Sequence, residues 1–165
     1  MLAPNKLTLE RTEDFELLSK IINTPPIPAE LGIVKDYDVE WINRTSEGCI
    51  WFLCKIDDIP VGFLWCDIYE GDYLGHVMML PPGRGINVVK FIDATATWMF
   101  LNTKCKVLWA KPPFLKSYRM IKLCGFEDVE IRFEQCPFTK KVWKRWVTVL
   151  TRERWEAIQR GEVVI

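Results

Sequence analysis

The residues best placed to do chemistry lie between Leu74 and Leu101. An apolar stretch, Leu74-Gly-His-Val-Met-Met-Leu80, runs into Pro81-Pro82-Gly83-Arg84-Gly85. After Asn87, apolar residues recur at Val88, Ile92, Thr95/Ala96 and Met99, the spacing of one helix face. A strand that empties through a glycine-bearing turn into a helix leaves backbone N–H groups without partners at the helix start. With the positive end of the helix dipole, those groups make a seat for a phosphate. A second stretch with chemical character is Lys140-Lys141-Val142-Trp143-Lys144-Arg145-Trp146. Basic residues interleaved with aromatics can hold single-stranded nucleic acid. The simpler reading, preferred here, is an element with one aromatic and one solvated basic face, suited to a protein contact.

Composition narrows the field. A chain of 165 residues, 49% hydrophobic and 27% charged, is long enough for a packed core and is expected to form one domain over residues 1–165. Lys+Arg and Asp+Glu balance at 22 each, which argues against nucleic acid or an anionic membrane as partner. The six cysteines contain no Cys-x-x-Cys pair and only one histidine accompanies them, so no metal site is expected. Cys54 and Cys66 lie in apolar runs, where cysteine acts as a small buried hydrophobe. The N-terminus has no apolar leader, and no run approaches the ~20 residues of a membrane helix. A cytoplasmic protein is the expectation. Trp51, Trp65, Trp98 and Trp109 read as core, whereas Trp155 groups with the tryptophans of the basic stretch.

The elements that must position these residues follow from pattern. Lys6–Leu9 alternates as a strand, and Thr12 reads as the N-cap of a helix with Phe15, Leu18 and Ile22 on its apolar stripe. Pro25, Pro26 and Pro28 end it; between Ala29 and Glu47 only a short helix near Val39–Ile42 is suggested. Cys49–Ile56 and Val61–Ile68 flank Asp57-Asp58-Ile59-Pro60 as a hairpin, apolar on both faces and therefore central in a covered sheet. Lys106–Ala110 is a strand, Leu115–Cys124 a helix ended by Gly125, and Glu127–Gln135 and Trp143–Leu150 the last strands. Thr151 caps a terminal helix. The sum is an α/β (α+β) chain: a mixed central sheet of six to seven strands with helices on both faces.

This order resembles the GNAT superfamily of acyl-CoA-dependent N-acyltransferases, in a divergent form similar to small proteins of tailed phages. The resemblance covers nearly the whole chain and rests on the central hairpin, on Met79-Leu-Pro-x-x-Arg-Gly, and on Leu123-Cys-Gly-Phe126. It implies acetyl-CoA as co-substrate, an amine acceptor, and two splayed strands between which the pantetheine arm lies. By position it implies Val77, Met78 and Met79 along the pantetheine. Arg84, Gly85, Ile86, Asn87, Val88, Val89 and Lys90 would then surround the pyrophosphate.

The chain also departs from that pattern. The later small residues of the phosphate loop are replaced by Asn87 and Val89; Asn87 tolerates a left-handed backbone, whereas a β-branched Val89 narrows the approach. The usual thiolate-protonating Tyr is Ile121, with Tyr118 one turn earlier able to substitute only in a shifted helix. A strand-five Glu found in some members is Lys111, and the usual helix Asn is lost near Phe114. His76 remains as candidate base: an unperturbed pKa of about 6.5 suits that role, and a packed, hydrogen-bonded histidine is the equal alternative. A strand bulge common in the family leaves its direction open. Asp67, Glu70 and Ser117 are weaker candidates, more simply read as polar rim or first-turn residues. Two functions stand side by side: an acetyltransferase, or a catalytically silent GNAT-shaped pseudoenzyme acting through protein contacts.

Overall fold

The computed structural model describes residues 4–136 and 138–165. Seven strands form one sheet: β1 (Leu7–Arg11), β2 (Ile50–Ile56), β3 (Ile59–Tyr69), β4 (Asp72–Met79), β5 (Val107–Ala110), β6 (Glu127–Gln135) and β7 (Val142–Thr151). Among the described residues six α-helices accompany them: α1 (Phe15–Ile22), α2 (Ile27–Leu31), α3 (Val39–Thr45), α4 (Ile86–Asn102), α5 (Leu115–Leu123) and α6 (Arg152–Gln159). The strand order is β1-β2-β3-β4-β5-β7-β6, and β4–β5 is its one parallel pair.

Two tight turns set the register of the central strands. Asp57 and Asp58 take φ 49° and 66°, a pair of left-handed residues that lets β3 begin at Ile59, earlier than Val61. Glu70 and Gly71 take φ 50° and 73° and join β3 to β4 in the same way. The register from Gly62–Met79 to Tyr69–Asp72 is then unbroken, so β4 runs against β3 without the bulge common in the family it resembles.

Strand alternation sends side chains to two cores. On one face Trp51, Leu53, Phe63 and Trp65 pack against Leu18, Ile22, Ile27 and Val39 of α1, α2 and α3. On the other, Phe52, Leu64, Cys66 and Leu108 pack against Phe91, Ala96, Met99 and Phe100 of α4, Ile121 of α5 and Trp155 of α6. Trp155 is thus core, 8% exposed, rather than part of a basic surface.

Three local readings change. Asp14, not Thr12, caps α1: its carboxylate accepts from Leu17 N–H at 3.0 Å, while Thr12 Oγ1 accepts from Asp14 N–H at 3.1 Å. The proline-rich segment contains α2, because Pro28 falls in its first turn, where no amide hydrogen is required. Trp143 and Trp146 lie three apart on a strand and therefore face opposite ways, so β7 has no single aromatic face. Arg145 stacks on Trp143, and Lys144 on Trp146.

Candidate active site

Strands β4 and β5 pair only at Tyr73–Leu108 and Leu74–Trp109. Beyond that point β4 continues with β3 to Met79, while β5 follows β7 and ends at Ala110. The strands part, and a largely apolar crevice opens between them. Gly75, His76 and Val77 line it from β4, Leu108, Trp109 and Ala110 from β5, Ile92 and Thr95 from α4, and Ile121 from α5. Among the described residues the edge of β4 facing this gap has no strand partner past Leu74, so its outward amides and carbonyls are free to pair with an extended amide-bearing arm.

At the end of β4 the chain makes one tight turn, Pro81–Gly83. Gly83 N–H donates to Leu80 O at 2.9 Å and Arg84 N–H to Pro81 O at 3.1 Å. A Cβ on Gly83 would stand 2.4 Å from Met79 Sδ, which is why this position is bare. Gly85, at φ 67° and ψ −135°, then swings the backbone into α4 and is its N-cap without a side-chain cap. The amides of Ile86, Asn87 and Val88 lack carbonyls four residues back within the helix and stay open.

The replacements in this loop do less than their types suggest. Asn87 sits inside α4, not in a left-handed turn, and its amide donates to Pro82 O at 3.1 Å. Val88 and Val89 pack on the core beneath α4, so neither branched side chain plugs the turn. Ile86 and Lys90 are exposed. Arg84 is the larger surprise: Nε donates to Met79 O at 2.9 Å, and its two terminal nitrogens grip Glu30 of α2 at 2.9 and 2.7 Å. Its guanidinium is therefore a strut between the turn and α2, already paired with the Glu30 carboxylate rather than turned toward a ligand. Of the three β4 residues expected along the crevice, Val77 contributes its side chain. Met78 points to the α1–α3 core, and Met79 is buried beside Gly62 and Gly83.

The unbroken β3–β4 register settles which way His76 points. It lies opposite Trp65, on the α1–α3 face, stacked on the indole at 4.4 Å and 11°. Nε2 is 3.1 Å from Asp67 Oδ1, and the two side chains are 32% and 22% exposed. Asp67 is thus bound to the imidazole, not a solvated rim residue. A two-residue turn at Glu70-Gly71, read from the sequence, would have placed Trp65 and Asp67 beside His76. Glu70 itself is exposed in that turn.

Tyr118 does not reach the crevice lining. Its hydroxyl donates to Asp128 at 3.0 Å and its ring stacks on Trp146 at 5.2 Å, while Ile121 faces the gap. The hydrogen bond to Asp128 is the main cause that raises the tyrosine pKa above its ordinary value. The helix is not shifted, and Tyr118 belongs to the β6–β7 side of the sheet. Lys111 donates to both oxygens of Glu134 at 3.0 and 3.2 Å and lies over the Tyr69 ring. Cys49, Cys105 and Cys124 supply no thiolate here: burial pushes Cys105 and Cys124 up to about 12 and Cys49 to about 11.

No family model matches the sequence, and no curated protein matches it. Solved structures do. The aminoglycoside acetyltransferase AAC(6')-Ib in complex with coenzyme A superposes with a TM-score of 0.75 at 16% identity, covering 93% of this chain and 99% of that one. A spermidine N-acetyltransferase from Vibrio cholerae, in complex with CoA and spermine, gives 0.73 at 13% identity, with coverage of 91% and 98%. An uncharacterized protein from Bacillus halodurans gives 0.67 at 14% identity over 96% and 93%. At such identities the likeness is one of fold. The chain has the GNAT fold, with its seven-stranded mixed sheet and splayed central strands. Among the described residues no helix is long and apolar enough to cross a membrane.

Proposed function

We propose that the protein is an acyl-CoA-dependent N-acyltransferase, using acetyl-CoA and acting in the cytoplasm on a small-molecule or protein amine. The observation that carries this is the parting of β4 and β5 after Leu74–Trp109, next to the uncapped start of α4. The free edge of Gly75–Met79 would pair with the pantetheine amides, and Val77 would wall the thioester end. The amides from Gly85 to Val88 would receive the pyrophosphate, with Lys90 adding charge from the helix surface. His76, which borders the gap from β4 with its ring on the α1–α3 face, would accept the proton that the acceptor amine must lose. Titration calorimetry with acetyl-CoA tests the reading. Binding with protection against thermal unfolding is expected, whereas no heat and no protection at millimolar ligand would remove it.

A second reading is a GNAT-shaped protein without catalysis, like the small phage proteins it resembles, serving virion assembly or interference with host proteins. Ile121 at the crevice and Tyr118 bonded to Asp128 favour it, since neither position offers a free phenol to a leaving thiolate. A partner complex that survives Arg84→Glu, which sets a second carboxylate against Glu30, would support it.

A further inference from the structure

His76 has two ring nitrogens, and a base can use only the one that carries no proton. An ionised carboxylate only accepts, so the Nε2–Asp67 Oδ1 contact of 3.1 Å requires the proton of the neutral ring on Nε2. Among the described residues Nδ1 has no hydrogen-bond partner. Trp65, 5% exposed, stacks on the ring and fixes its plane. Asp67 stands diagonally across the β3–β4 pair, so both ends of the contact are mounted on central strands. Cys49, close enough to feel the Asp67 charge, is held neutral with a pKa near 11 and does not compete as an anion.

Resting on the transferase reading, we propose that Asp67 is the positioning residue of His76: it pins the imidazole as its Nε2–H tautomer and leaves Nδ1 to carry the proton in transfer. The amine nitrogen bonds to the thioester carbonyl carbon and gives its proton to Nδ1. The carbon–sulfur bond breaks, and the thiolate departs with the proton that Nδ1 returns. Asp67 stays ionised throughout and holds the imidazolium formed in between.

The chain has one histidine, so every imidazole signal in a nitrogen-15 correlation spectrum belongs to His76. At pH 8 the wild-type protein should show a protonated-type Nε2 and an unprotonated-type Nδ1. Asp67→Asn and Asp67→Ala should shift both signals away from that pattern. They should also lower kcat at least about tenfold with the KM for acetyl-CoA unchanged. An Nδ1–H tautomer in the wild type, or variants with unmoved signals, would overturn the proposal. The predicted tautomer in a protein that neither binds acetyl-CoA nor transfers its acetyl group would uphold the pair and remove the transferase reading instead. Asp67→Asn keeps the side-chain shape, so the test survives if the alanine variant fails to fold.

Discussion

Arg84 and Glu30, 54 residues apart, form a two-point ion pair with contacts of 2.9 and 2.7 Å. It fastens α2, on one face of the sheet, to the turn that launches α4 on the other. Planar fork on planar carboxylate is the strongest arrangement available to such a pair. Both side chains remain partly exposed, at 33% and 45%, which keeps the energy modest.

Removing either partner should release the same element. Glu30→Gln and Arg84→Met should each cost about 0.5–1 kcal/mol and speed amide exchange at Ile27 and over residues 29–32 by similar factors. The double variant should be no worse than the poorer single one, because the two losses are one interaction. Fully additive losses in a denaturant-unfolding cycle would show that Arg84 and Glu30 act separately.

Gly85 offers a cleaner case of backbone control. At φ 67° and ψ −135° a side chain is strained, yet a Cβ there would meet nothing within 4 Å. Gly85→Ala should therefore cost about 1–3 kcal/mol through conformation alone. It should also weaken acetyl-CoA binding, because the α4 amides lose their aim. An alanine variant with unchanged stability and affinity would mean that the turn relaxes freely.

Tyr118 should be dispensable for transfer. With its hydroxyl on Asp128, Tyr118→Phe should leave kcat within about twofold. The same bond raises the phenol pKa in the folded state above 10.0. A raised folded pKa means that the bond supports the fold fully below pH 10 and ceases to as pH climbs through the higher folded value. Asp128→Asn should bring the Tyr118 ionisation, isolated by absorbance difference against Tyr118→Phe, back down. A hundredfold loss of kcat in Tyr118→Phe would return Tyr118 to the candidate proton donors.

What the sequence made legible is what local pattern controls. Two apolar runs around Asp57-Asp58 specify a buried hairpin, and the strand–turn–helix at Leu74–Leu101 specifies where β4 must deliver the chain. Thr151 declares its helix start because its side chain bonds Arg154 N–H, three residues away. The site was harder to read because its decisive contacts join distant positions. Nothing near Arg84 says that Glu30 will occupy its guanidinium, and helix α2 hides behind prolines that look like breakers. Asp67 and His76 meet only once the β3–β4 register is fixed, and one residue of slip would send His76 to the other face. Val89 misled for the reverse reason: its shape is wrong for a phosphate loop but right for the core beneath α4.

Val77 is the residue on which the crevice can be closed without replacing a residue of the loop, the histidine or a fully buried core side chain. It lies on β4 where the strands have parted, half-buried, with its side chain in the gap. Val77→Trp should fill that space and abolish acetyl-CoA binding, a loss of at least about a hundredfold read by calorimetry. The gap is narrow and its walls must shift to take the added ring, so unfolding stability should fall by about 1–3 kcal/mol. Because the α4 amides are untouched, the variant should still bind a ligand with only the pyrophosphate end, such as adenosine diphosphate, as weakly as the wild type does. If Val77→Trp binds acetyl-CoA like the wild type, the thioester arm does not run between β4 and β5. The parting of those strands would then serve something other than acyl transfer.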